Sequence, residues 1–210
     1  MHVIMKPVIE MFSRAHASAH RLVRDSNGIA AVEFAMILPV MLVLLFGTVE
    51  FSSGVEVDRK VNLVAHTLSD LASQSPVTGI TDTELGFFFS AGATILQPYS
   101  SAPLNQVISE LYIDLNTGIA YVQWSKAFQG GVARSTGSTV SIPPTLAVKG
   151  TYLIFSEVNY LYKPTIGYVM SSAGVTLSAT AYTRPRQASC VVYPGVTPPT
   201  PIPGCKTTEN

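Results

Sequence analysis

From Ile29 to Val49 the chain reads Ile-Ala-Ala-Val-Glu-Phe-Ala-Met-Ile-Leu-Pro-Val-Met-Leu-Val-Leu-Leu-Phe-Gly-Thr-Val, and Glu33 is its only charged residue. At about 1.5 Å of rise per residue this is roughly 31 Å of helix, matching the ~30 Å hydrocarbon core of a bilayer. Lipid offers no water to unpaired backbone groups, so a helix, which satisfies its own, is the form such a segment takes. The segment reads as a membrane span. Two residues break its pattern. A carboxylate near the start of a span costs on the order of a few kcal/mol unless it is paired, neutralised or able to reach the interface. Pro39 removes one backbone N–H and crowds the carbonyl of Ala35, which predicts a local kink. Neither residue helps a plain anchor.

Counting from Gly28 gives both a context. A cut after Gly28 would make Ile29 the first residue of the product and Glu33 the fifth. Gly, four apolar residues, Glu, then an aromatic at the head of an apolar helix is the processing pattern of type IV pilin-like proteins. The longer run Arg24-Asp25-Ser26-Asn27-Gly28-Ile29-Ala30-Ala31-Val32-Glu33-Phe34-Ala35-Met36-Ile37-Leu38-Pro39 resembles the TadE-like family, minor pseudopilins of the bacterial tight-adherence (Tad, or Flp) pilus system. The resemblance is strongest over residues 24 to 51. It implies a processing site between Gly28 and Ile29, read by a prepilin peptidase. It also implies inter-subunit helix packing through Glu33, Phe34 and Pro39. The expected partners are other pseudopilins, the pilin and the inner-membrane platform. Cutting frees an α-amino group that can pair with the carboxylate of a neighbouring subunit and remove the cost of burying it. The other reading of Glu33 is a side chain that snorkels to the cytoplasmic boundary of a simple anchor.

Lys and Arg set the orientation. Lys6, Arg14, Arg21 and Arg24 precede the span, whereas Glu50, Glu56 and Asp58 follow it before Arg59 and Lys60. The positive-inside rule places the N-terminus in the cytoplasm and everything after Val49 outside, in the periplasm of a diderm bacterium. Thirteen basic residues balance thirteen acidic ones, so nucleic acid is not an expected partner. Cys190 and Cys205 are the only cysteines, both on the outward side. An even pair in an oxidising compartment reads as one disulfide closing a small loop, the alternative being two free thiols.

Residues 1–28 carry a helical apolar stripe through Ile4, Val8, Phe12, Ala15, Ala19 and Leu22, with Arg14, Arg21 and Arg24 off it. This suits a basic amphipathic segment on the inner membrane face or a removable leader. His16 and His20 have helical metal-ligand spacing but no third ligand, so no metal is expected. After the span, Val57, Val61, Val64, Leu68 and Ala72 recur every three or four residues, with Asp58, Arg59, Asn62, Ser69 and Asp70 falling elsewhere. One continuous helix from about Ile29 to Ser75 follows, ended by Pro76 and Gly79. His66 on this stretch reads as a satisfied structural residue.

Thr81 or Asp82 caps a short helix whose Phe87-Phe88-Phe89 run supplies core aromatics. Val107 to Leu115 and Ile119 to Phe128 form a hairpin about Asn116-Thr117-Gly118. Gln129 to Pro144, rich in Gly, Ser and Thr, is the natural mobile or partner-facing loop. Thr151 to Tyr162 is a strand with Val158, Tyr160 and Tyr162 on one face, and Val175 to Thr183 is the last strand. The phrases Glu157 to Pro164 and Tyr182 to Arg186 also resemble TadE-like proteins, weakly. Tyr160 and Tyr162 read as packing residues, and Arg184 and Arg186 as solvated strand-end charges.

The outward part is poor in groups that titrate or attack. His66 is its only histidine, which argues against Ser-His-Asp, Cys-His and His-metal chemistry. Glu110 and Asp114, four apart on a strand, would sit about 13 Å apart at ~3.3 Å per residue. That exceeds the roughly 5 to 9.5 Å of glycosidase carboxylate pairs. No phosphate loop or cofactor motif is present. The expectation is therefore a non-enzymatic α+β chain without catalytic, cofactor or metal site. A single membrane-spanning helix extends into a small, mainly antiparallel sheet head, the lollipop shape that the resemblance implies. Its parts are a basic leader (1–28), the span (29–49), an amphipathic continuation (50–75), a periplasmic head (76–188) and a Pro/Gly-rich tail (189–210). The leading function is a TadE-like pilus assembly component. The alternative is a signal-anchored periplasmic binding module with no role in pili.

Overall fold

A computed structural model describes residues 27–76, 78–164, 174–197, 203 and 205. The amphipathic reading of the leader and its His16–His20 pair lie outside these residues. The elements in chain order are α1 (Asn27–Ser73), α2 (Asp82–Ile95), β1 (Leu104–Ile113), β2 (Ala120–Phe128), β3 (Thr139–Val140), a 3-10 turn (Pro144–Leu146), β4 (Tyr152–Tyr162) and β5 (Val175–Thr183). The fold class is α+β, with one long apolar helix and one antiparallel sheet. The chain divides into two compact units between Thr48 and Val49.

In the first unit α1 is apolar on every side and exposed along its length, Met36 and Leu44 as fully as Ile29. Such a helix has no face reserved for water, and its most apolar window has a mean hydropathy of 2.6. The helix is continuous through Pro39. The Thr48 hydroxyl donates back to the carbonyl of Leu44 at 2.7 Å, so the one hydroxyl in this stretch is satisfied within the helix.

In the second unit the same helix acquires an inside and an outside. Val57, Val61, Val64, Ala65, Leu68 and Ala72 are wholly buried, and Arg59, Asn62 and His66 are exposed. His66, expected to be a satisfied structural residue, stands exposed on the helix surface. Ser69, expected off the stripe, is buried as well, and its hydroxyl lies 3.0 Å from that of Thr183. The Ser156 hydroxyl donates to the Ala65 carbonyl at 2.6 Å, a second polar tie between helix and sheet.

α2 opens with a capping box. Thr81 Oγ1 accepts from the Glu84 backbone N–H, and the Glu84 carboxylate accepts from the Thr81 N–H at 2.8 Å. The Thr81 N–H foremost, and then the Thr81 hydroxyl, which donates to the same carboxylate at 2.8 Å, hold the Glu84 carboxyl below its ordinary range. Of the three phenylalanines, Phe89 is buried and stacks on Phe128 with ring centroids 5.3 Å apart, Phe88 packs at the margin and Phe87 stays exposed.

The sheet runs β3-β2-β1-β4-β5, every neighbour antiparallel. Asp114 makes the expected β1–β2 turn, its Oδ1 accepting from the N–H groups of Asn116 (3.0 Å) and Thr117 (2.7 Å). Between β1 and β2 the register shifts, so that Glu110 faces Trp124 while Leu111 faces Val122, leaving Gln123 as the extra residue of a bulge. One face of the sheet, with Leu104, Ile108, Trp124, Ile154, Val158, Tyr160 and Tyr162, packs with α1 and α2. The other carries Leu111, Ile113, Val122, Leu153 and Phe155, covered by Val140, Ile142 and Leu146. The stretch expected to be a mobile loop is therefore fastened. It covers this second core, and Arg134 in it holds Glu157 through two 2.6 Å bonds.

Residues 186–193 cross the second unit as a strap. The Arg186 N–H bonds the Ser73 carbonyl (2.9 Å) at the end of α1, and the Val192 carbonyl accepts from Ile80 N–H (2.8 Å). Gly79 makes the second docking possible. Its φ is +98°, and an added Cβ would lie 2.5 Å from the Val192 carbonyl oxygen. We expect Gly79→Ala to cost on the order of 2 kcal/mol or more through strain and this clash. Gly86→Ala, inside α2 with open space around its Cβ, should be neutral or stabilising by about 0.5–1 kcal/mol. Urea unfolding of the full chain in detergent checks both, and a wild-type midpoint for Gly79→Ala would contradict the strap's placement.

Candidate functional site

The residues singled out in the sequence occupy the first turns of α1. Gly28 is its second residue, and a Cβ there would meet nothing within 4 Å, so packing does not demand glycine at this position. Ile29 and Phe34 are 62 % and 60 % exposed, and Glu33 is exposed beside them. Glu33 is the fourth residue after Ile29, which puts both on one face of the helix, one turn apart. The Cα–Cβ bond of Glu33 tilts toward the helix start, where the group at position 29 lies. Among the described residues no ion pair reaches Glu33, and Pro39 follows further along the same exposed helix.

In the second unit the titratable groups are mostly structural. Among the described residues no three His, Cys, Asp or Glu side chains gather as a metal site. Glu110 and Asp114 take separate tasks. Asp114 holds the hairpin turn, and the Thr117 N–H it accepts, with the Thr117 hydroxyl, keeps its carboxyl below the ordinary range. Tyr160 and Tyr162 are buried as expected, the Tyr160 hydroxyl donating to the Ser100 carbonyl at 3.0 Å. Arg186 is more engaged than a solvated strand end, since its guanidinium pairs with Asp70. Cys190 and Cys205 are joined, with Cα atoms 5.8 Å apart.

Glu110 is the residue whose role sequence reasoning missed. It is wholly buried on the helix-facing side of β1, opposite Trp124. One carboxylate oxygen accepts from the Val191 N–H at 2.5 Å, and the other accepts from Trp124 Nε1–H at 3.0 Å. The same indole N–H also reaches the Val191 carbonyl at 2.7 Å. Tyr193 packs against Trp124 with the rings tilted and their centroids 5.8 Å apart, and donates its hydroxyl to Asp82 at 2.7 Å, while Lys126 lies 4.2 Å over the Tyr193 ring. Glu110 and Trp124 therefore clamp the strap against the sheet. The arrangement binds a segment of the chain itself and leaves the carboxylate no free oxygen with which to act on a substrate. The available signal was one carboxylate in step with Leu104 and Ile108, and only the cross-strand register shows what it meets.

The site is thus a helix long and apolar enough to cross a membrane, with one carboxylate near its start, that runs on into a unit with an antiparallel sheet. The model of the family described as TadE-like protein matches residues 28–68, which is the family expected from residues 24–51. The match takes in the exposed half of α1 and its striped continuation and does not reach the phrases at 157–164 and 182–186. No curated protein and no solved structure matches the chain.

Burial pushes the Glu110 carboxyl up to about 8, against the opposing pull of the Val191 and Trp124 N–H groups. The folded protein thus keeps a proton that the unfolded chain gives up near 4.5. With the folded value raised, this contribution is fully present below about 4.5 and is lost as the pH climbs through about 8. The urea midpoint of the full chain in detergent should fall between pH 5 and pH 8.5. Glu110→Gln should be less stable at pH 5, because an amide cannot accept both N–H groups, and should show a flatter profile. An unchanged slope in Glu110→Gln would assign the dependence to another group.

Proposed function

We propose that this chain is a minor pseudopilin of the Tad (Flp) pilus machinery, a single-pass inner-membrane protein that works by helix packing and contacts of its sheet unit. In this reading the N-terminus is cytoplasmic, the sheet unit is periplasmic, and a prepilin peptidase cuts between Gly28 and Ile29. Other pseudopilins, the pilin and the inner-membrane platform are the partners. One observation carries the reading. Within the family-matched segment, the only charged residue of the apolar run is a carboxylate one helical turn past Gly28. The excess of Lys and Arg before the span supports the orientation, and the disulfide suits an oxidising compartment. Among the described residues of the second unit, the buried carboxyl of Glu110 is taken up by the fold, through Val191 and Trp124.

The helix works through pairing. In an assembly, the carboxylate of Glu33 meets a cation on an adjacent helix, the new amine of Ile29 being the natural one. Phe34 and Pro39 then shape the surface that the neighbour packs against. Removing the carboxylate leaves that cation unpaired in a low-dielectric setting, a loss on the order of 3 kcal/mol. Glu33→Leu should therefore still reach the inner membrane with its sheet unit outside, and should fail to support pili. Surface pili and membrane fractionation measured in the same mutant strain check this. Normal piliation would favour the anchored binding module, in which Glu33 is only a liability.

A further inference from the structure

A cavity of about 600 Å³ opens where the end of β4 meets α1 and the connection from α2 to β1. Ser53 lines it from α1, Tyr99 from the connection, and Tyr160, Leu161, Tyr162 and Lys163 from the end of β4 and just past it. Two of its aromatic hydroxyls are already engaged. That of Tyr99 donates to Glu56 Oε2, and that of Tyr160 to the Ser100 carbonyl, each at 3.0 Å. What these two tyrosines and Leu161 add to the lining is therefore mainly hydrocarbon. Lys163 adds a charge. Its side chain is exposed, and among the described residues no carboxylate pairs with it.

The rise of α1 sets the depth of this lining. With residues 29–49 filling the ~30 Å hydrocarbon core, Ser53 lies four residues past Val49, about 6 Å further along the helix. The headgroup layer on each side of the core is about 5–8 Å thick. The α1 wall of the cavity thus stands at the level of lipid phosphates and glycerol esters. Phe51, between Val49 and Ser53, is 68 % exposed, and the membrane–water interface is where an exposed aromatic is favoured. Apolar walls, an unpaired ammonium and this depth describe one occupant. A protein segment seated there would first have to displace the headgroups that surround the helix.

We propose that the cavity seats a glycerophospholipid of the outward leaflet, its phosphate on the Lys163 ammonium and its glycerol esters and first acyl carbons against Tyr99, Leu161 and Tyr162. The bond from ammonium to phosphate is charge-assisted, and the contact with Leu161 takes apolar area out of water. A seated lipid gives the second unit a hold on the bilayer besides α1. The proposal rests on the reading of residues 29–49 as a membrane span and makes no use of the pilus.

The test uses the full chain in nanodiscs of phosphatidylethanolamine and phosphatidylglycerol that carry a trace of one of two photoactivatable phospholipids. One has its diazirine beside the glycerol ester, and the other has it at the chain end. After illumination and peptide mapping, the first probe should label residues 97–103 and 160–163, and the second should label residues 29–49. Lys163→Glu should cut the cavity label at least fivefold, and Lys163→Arg should keep it. Arg59→Glu, an equal change of charge at an exposed position on α1, should leave it within twofold. Labelling of the span without the cavity, or a cavity label indifferent to Lys163→Glu, would overturn the lipid seat and leave the span standing. Labelling of neither would overturn both. Loss of the cavity label on adding inorganic phosphate would make the site one for free phosphate and overturn the lipid.

Discussion

The change of surroundings along α1 governs the rest of the structure. Up to Thr48 every side of the helix is apolar and exposed, a pattern that only lipid or other helices can cover. From Val49 the apolar residues retreat to one stripe, and that stripe needs a sheet. A single helix, Asn27–Ser73, thus serves two environments, although Pro39 withholds one N–H from its ladder of backbone bonds. The sheet in turn needs the stripe, since Ile154, Val158, Ala179 and Ala181 are buried with it in one core. The family match ends at Leu68, so it covers this transition and none of the sheet that depends on it.

The second unit is closed by contacts far apart in the chain. The strap of residues 186–193 ties the end of α1, the start of α2 and the β1–β2 pair, through Ser73, Ile80, Asp82, Glu110 and Trp124. Burying a carboxylate for this purpose is costly, and the raised affinity of Glu110 for its proton is the visible form of that cost. What the clamp secures is position. Two backbone groups of Val191 and the indole N–H find partners where water cannot reach.

Local and periodic features of the fold were legible in the sequence. The stripe Val57-Val61-Val64-Leu68-Ala72 forms as read, β5 has the expected bounds, and the Thr81–Glu84 box begins α2. Each depends on residues close in the chain, where spacing and cap chemistry decide. The strap was not legible, because residues 190–193 sit in a Pro- and Gly-rich stretch with no periodicity and are placed by partners more than sixty residues away. The bulge at Gln123 was missed for a related reason, as a bulge is a property of two strands and not of one. Ser69 read as a residue off the stripe and Glu110 as one of two carboxylates spaced along a strand, and only the elements opposite them show that both are buried. At the candidate site the pattern itself was plain, one carboxylate in an apolar run after glycine. What Glu33 meets belongs to a neighbour that a single chain does not contain.

The central claim is that the apolar half of α1 is a processed, pilin-type helix and not an uncut anchor. Intact-mass and N-terminal peptide analysis of the chain purified from its native membrane tests it most directly. The account predicts a product that begins Ile-Ala-Ala-Val-Glu, with residues 1–28 removed, and that Gly28 replaced by a bulky residue leaves the precursor whole. A native protein that keeps Met1 to Gly28 under all growth conditions would contradict it.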